Sequence, residues 1–127
     1  MRQSRILVVE DDHDLRRLFR LTLSMEGYVV EEAPDGIDAL RSIDNNPPDL
    51  VVLDLQLVVL DGTSVQQELA ARALTRHIPV VIVTGSDATV NGANVACLLR
   101  KPVTPERLIT VVRQCLAAGA GRLPEPM

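Results

Sequence analysis

The chain has 127 residues, 46% hydrophobic and 24% charged, with a formal net charge of −4 and only Phe19 and Tyr28 as aromatics. This length suits one domain with an aliphatic core, and the composition excludes a disordered chain. The acidic balance, without a basic stripe carrying aromatics, argues against nucleic-acid binding, and the longest apolar runs, such as Leu50–Leu53 and Val80–Val83, are far too short to span a bilayer.

The first element is "RILVV" (5–9), a continuous aliphatic run that reads as a parallel strand buried on both faces. Arg2 and Arg5 precede "ILVV" as a leader's charged end does, but "EDD" follows after four apolar residues, so it is no signal-peptide core. Leu15, Leu18, Phe19, Thr22 and Leu23 then keep helical spacing, and Gly27 stops that helix. "YVVEEA" (28–33) is a weaker strand, followed by a helix over roughly 36–45. "DLVVL" (49–53) is the second strong strand, with Asp54 directly after it. The stretch "LQLVVLDG" (55–62) leads to a helix over roughly 63–75, then to the third strong strand, "PVVIV" (79–83). "CLLR" (97–100) is a weak strand. Leu108, Val111, Val112, Cys115 and Leu116 mark a last helix, with Thr104 as N-cap and Pro105 in its first position. "AAGAGRLPEPM" after Leu116 reads as a frayed helix end, which sets a domain over 1–118 and a flexible tail or linker over 119–127.

The alternation of strands and helices predicts a single doubly wound five-stranded parallel sheet with helices on both faces. Cys97 and Cys115 form no C-x-x-C, so no disulfide framework or metal knuckle is implied; both are expected in the core of a cytoplasmic protein. His13 and His77 lack the neighbours of a catalytic or metal site and are expected at the surface.

In such sheets ligands bind beyond the carboxyl ends of the strands. Those ends here are Glu10-Asp11-Asp12, Asp54, Thr84-Gly85-Ser86 and Lys101-Pro102. Glu10, Asp11 and Asp54 brought together repel one another unless a cation neutralises them, and hard carboxylate oxygens without His or Cys suit Mg²⁺. Lys101 is the only lysine beside 12 arginines, and its compact ammonium suits phosphoryl oxygens. A carboxylate, a divalent cation, a lysine and a hydroxyl are the parts that phosphoryl transfer requires.

The pieces "ILVVEDD" (6–12), "PDLVVLDLQL…DG" (48–62), "PVVIVTGS" (79–86) and "LLRKPVTPERL" (98–108) occur in an order that resembles the receiver domain of two-component response regulators, the chemotaxis-regulator-like superfamily. The resemblance implies the strand order 2-1-3-4-5. It implies that Asp54 accepts a phosphoryl group from a phosphohistidine. Mg²⁺ would be held by Glu10, Asp11, Asp54 and the backbone carbonyl of Gln56, and Thr84 and Lys101 would contact the phosphoryl oxygens. The implied partner is a sensor histidine kinase or a histidine phosphotransfer protein, with output through phosphorylation-dependent protein interaction and no nucleic acid or membrane bound by this domain.

Several positions depart from the family. Val58 replaces a usual proline, Gly85 a common alanine, and Leu98 the aromatic that swings inward on activation. The short span from Thr84 to Lys101 predicts that the helix between the fourth and fifth strands is shortened or missing, with only Asp87–Val90 available before Asn91-Gly92. These departures carry an alternative: a degenerate receiver acting as a phosphorylation-independent interaction module. An aspartyl phosphohydrolase is disfavoured because such enzymes carry a second acid where Gln56 stands. A flavodoxin-like cofactor site is disfavoured because "EDD" repels a bare phosphate. The domain is therefore expected to catalyse only its own phosphorylation and dephosphorylation. Val58, Val59 and Leu60 are expected either to form an exposed apolar docking patch beside the site or to fold back as core.

Overall fold

The computed structural model describes residues 3–57, 59–85, 92 and 94–121. In chain order they form β1 (Arg5–Val9), α1 (His13–Met25), β2 (Val29–Ala33), α2 (Gly36–Asn45), β3 (Leu50–Asp54), α3 (Gly62–Ala71), β4 (Val80–Thr84), β5 (Val95–Arg100) and α4 (Pro105–Gly121). The strands make one sheet in the order β2-β1-β3-β4-β5, and every pairing is parallel. The predicted doubly wound architecture and strand order 2-1-3-4-5 are therefore present.

Period-two alternation explains why the central strands are apolar throughout: each needs two greasy faces. Leu7, Val9, Val51, Leu53, Val80 and Ile82 point to one side and pack with Ala39 and Ile43 of α2 and Val65 and Leu69 of α3. Ile6, Val8, Leu50, Val52, Val81 and Val83 point to the other and pack with Phe19 and Leu23 of α1 and Leu108, Val111 and Val112 of α4. Cys97 and Cys115 lie half-buried against this second cluster, and burial pushes the Cys115 thiol's pKa up, with Cys97 adding to the shift.

Short polar side chains start the helices. Asp12, Asp35 and Asp61 accept hydrogen bonds from the backbone N–H groups of Leu15, Asp38 and Ser64, and Thr104 Oγ1 accepts one from Arg107. After α1, Gly27 adopts φ 95°, the left-handed conformation that ends a helix cheaply only at glycine. No described helix is long and apolar enough to cross a membrane.

Two boundaries differ from expectation. The helix expected over roughly 63–75 ends at Ala71, where Arg72 turns extended (ψ 132°) and the buried Thr75 hydroxyl donates to the Leu69 carbonyl at 2.8 Å. A side chain thereby takes over a carbonyl at the helix end. The last helix, expected to fray after Leu116, continues to Gly121, where alanines offset the glycine penalty. The fourth helix is expected to be shortened or missing, with only Asp87–Val90 available to form it, and these lie outside the described residues. The connection re-enters description at Gly92 and Asn94. Asn94 is buried and bonded to α3: Gln66 Nε2 donates to Asn94 Oδ1 at 2.8 Å, and Asn94 Nδ2 donates to Gln66 O at 3.1 Å.

Candidate functional site

The register of the sheet builds the site. β1 and β3 pair Val9 with Leu53, so the next residues, Glu10 and Asp54, emerge side by side from the central strands. Both are 2% exposed. Two adjacent buried carboxylates are costly unless compensated. The compensation comes from β5's end: Lys101 Nζ lies 3.0 Å from Glu10 Oε1 and 3.3 Å from Asp54 Oδ2. The strand pairing delivers the lysine, because Thr84 is paired with Arg100 and the Lys101 N–H donates to the Thr84 carbonyl at 2.8 Å.

Asp54 is held at both oxygens. Oδ1 accepts the Gln56 N–H at 3.0 Å and Oδ2 accepts from Lys101. Glu10 Oε2 accepts the Asp12 N–H at 3.1 Å, whereas the buried Oε1 faces Lys101 without a well-aligned donor. Burial pushes the Glu10 carboxyl up to about 7; Lys101 and the Asp12 N–H oppose the shift, and the Asp54 charge adds to it. Burial alone would lower the Lys101 pKa, but bonding and attraction to Glu10, then to Asp54, outweigh it and raise the value.

Asp11 is exposed and completes an acidic triangle: one carboxylate oxygen from each of Glu10, Asp11 and Asp54 falls within 4.8 Å of the others. An all-oxygen donor set with an under-bonded buried oxygen fits a hard divalent cation of the Mg²⁺ type. Thr84 is fully buried at the end of β4, in register with Arg100, which precedes the lysine, and Gln56 is exposed at the rim. Glu10, Asp11, Asp54 and Lys101 are thus brought together, with Thr84 and Gln56 adjoining through backbone bonds.

The described residues of the Val58–Leu60 loop divide between the two alternatives expected for it. Val59 is 49% exposed, but Leu60 is half-buried against the α2–α3 core, at φ 52°, and Val58 lies outside the described residues. Leu60 turns inward because its loop is tied to α2: the Gly36 N–H donates to the Val59 carbonyl at 3.0 Å. Leu98 is also half-buried against that core. His13 and His77 are exposed.

Two contributors were not flagged by residue type. Gly62 lies against the site's own backbone; a Cβ there would fall 2.2 Å from the Asp54 carbonyl oxygen and 2.5 Å from Leu55 Cα. The Asp-Gly pair closing the loop was the available signal. Arg16 Nη1 donates to the Glu10 carbonyl at 2.9 Å, a bond with no sequence signature.

A family model for the response regulator receiver domain matches residues 6–113. The chain belongs to that family, the receivers of two-component response regulators. Among its relatives, the response regulator MprA of Mycobacterium sp. (strain KMS) is 40% identical over 117 residues, covering 88% of this chain and 50% of the relative. MprA of Mycobacterium avium (strain 104) is 38% identical over the same coverage. The chain thus spans about half the length of the curated relatives it matches. Among solved structures, a CheY-like response regulator receiver domain protein from Methanospirillum hungatei JF-1 aligns with a TM-score of 0.86 at 26% identity, covering 94% of this chain and 98% of that one.

Proposed function

We propose that Asp54 is the phosphoacceptor of a two-component phosphorelay, loaded from a phosphohistidine on a sensor histidine kinase or a histidine phosphotransfer protein. The observation that carries this reading is the buried Asp54 carboxylate held between Lys101 and the acids Glu10 and Asp11. A carboxylate oxygen of Asp54 forms the new P–O bond while the donor's P–N bond breaks and the imidazole leaves with the electron pair. Glu10, Asp11, Asp54 and the Gln56 carbonyl would hold Mg²⁺, which supplies charge neutralisation for the transferring phosphoryl group. Lys101, released from Asp54 as that carboxylate becomes an acyl phosphate, turns its charge to the phosphoryl oxygens, and the Thr84 hydroxyl offers a further donor. The domain acts on no other substrate; it catalyses its own phosphorylation and dephosphorylation in the cytoplasm and signals through a phosphorylation-dependent protein interaction.

Leu98 supports a second reading. It is aliphatic where receivers usually carry the switching aromatic, and it lies half-buried against the core, as suits a phosphorylation-independent interaction module. Incubation with acetyl phosphate and Mg²⁺ separates the two: the first reading expects phosphate incorporation in wild type and none in Asp54→Asn. Absence of incorporation in both favours the second.

A further inference from the structure

We propose that Arg16 is a positioning residue for the cation site, acting by pinning the peptide between Glu10 and Asp11. This inference rests on the reading of that acidic triangle as a Mg²⁺ site. Arg16 lies on the first turn of α1, and its side chain is only 12% exposed. Its guanidinium is divided between two acceptors: Nη1 donates to the Glu10 main-chain oxygen at 2.9 Å, and Nε donates to Glu32 Oε1 of β2 at 2.9 Å.

The Glu10 oxygen belongs to the rigid peptide plane that ends at Asp11 Cα. Rotating that plane swings Asp11 relative to Glu10. Its neighbours are also fixed: the Glu10 N–H donates to the Ala33 carbonyl at 3.1 Å, and Asp12 is held by Glu10 Oε2 and by its cap on Leu15. Arg16 supplies the restraint on the peptide oxygen itself. Without it, three mutually repelling carboxylates are freer to spread before a cation arrives. Glu32 is shared by Arg16 and Arg20, so it offsets only part of the Arg16 charge and serves chiefly to fix the direction of the guanidinium.

Arg20 provides the control, because it pairs with Glu32 Oε2 at 2.5 Å in the same cluster yet carries no bond to Glu10 in the described contacts. The test measures Mg²⁺ binding by calorimetry on the whole chain, the Mg²⁺ concentration for half-maximal acetyl phosphate labelling, and thermal unfolding in chelator. Outer-shell partners of metal ligands typically change affinity by 10–100-fold. Arg16→Met is expected to raise the Mg²⁺ dissociation constant about tenfold while labelling at saturating Mg²⁺ stays near wild type. Arg20→Met is expected to leave the dissociation constant within about twofold of wild type, because it lacks the outer-shell bond. Arg16→Lys keeps the charge but loses the planar fork, and it is expected to weaken binding too; it replaces Arg16→Met if that variant does not fold. Unchanged affinity in the folded Arg16 variant, or equal weakening in Arg20→Met, overturns the proposal. Failure of wild type to bind Mg²⁺ overturns the underlying site reading as well, and is distinguished by that measurement alone.

Discussion

Lys101 Nζ stands 3.3 Å from Asp54 Oδ2, so the only lysine of the chain is the half-buried counter-ion of the phosphoacceptor candidate. Removing it unmasks two buried acids and leaves the cation ligands intact. Lys101→Ala is expected to bind Mg²⁺ as tightly as wild type or tighter. Acetyl phosphate labelling is expected to slow by about a hundredfold, the scale of losing one charge-stabilising donor. Weaker Mg²⁺ binding, measured by calorimetry, would contradict this division of roles.

Asp11 is the exposed corner of the acidic triangle and contributes least to the core. Asp11→Asn should therefore keep the melting temperature near that of wild type in chelator, lose most of its Mg²⁺ affinity and give no detectable labelling. Normal labelling of wild type in excess chelator would refute the requirement for a cation.

Glu10 gives a pH signature. Its carboxyl is pushed from 4.5 up to about 7 by burial, so within that window the folded state keeps a proton that the unfolded chain has released. The stability contributed by this group is fully present at low pH and is lost as pH rises from 4.5 through about 7. In chelator, the melting temperature of wild type minus that of Glu10→Gln should fall across this range. Mg²⁺ should reverse the trend, and its affinity should rise toward pH 7 as the competing proton leaves. A flat difference curve in chelator would disprove the assignment.

Gly62 has no room for a side chain. A Cβ would meet the Asp54 carbonyl oxygen at 2.2 Å, and backbone cannot yield as a flexible side chain does. Gly62→Ala should cost about 1–3 kcal/mol by overpacking and slow labelling by displacing Asp54. At Gly85 the nearest atom to an added Cβ is Gln56 Oε1 at 3.7 Å, so Gly85→Ala should be tolerated. Denaturant titration of both variants checks the contrast.

Among the described aliphatic residues of the loop, Val59 is the exposed one. Val59→Ser should change stability by no more than about 0.5 kcal/mol and leave acetyl phosphate labelling unaltered. Transfer from the cognate kinase should fall severalfold if this side chain docks the donor. An equal loss of both reactions, with a drop in melting temperature, would mark it as packing instead.

The central strands were legible because a strand buried on both faces must be apolar at every position, and "ILVV", "LVVL" and "VVIV" satisfy that without ambiguity. The rim could be read for the same reason: polarity returns abruptly where the strands end. What escaped were interactions whose partners are remote or lack side-chain identity. Thr75 ends α3 by bonding a main-chain carbonyl, and Leu60 turns inward through a loop tethered to α2. Gln66 and Asn94, 28 residues apart, bond each other in the core, and neither position announces the other. Arg16 belongs to the same class, since its acceptor is the Glu10 carbonyl.

The placement of Lys101 gives the chain a built-in spectroscopic handle. Incorporating isotope-labelled lysine marks a single side chain, and that side chain touches both Glu10 and Asp54. One ammonium resonance would then report cation entry, proton release and acylation of the neighbouring carboxylate in real time, with no assignment problem and no foreign probe.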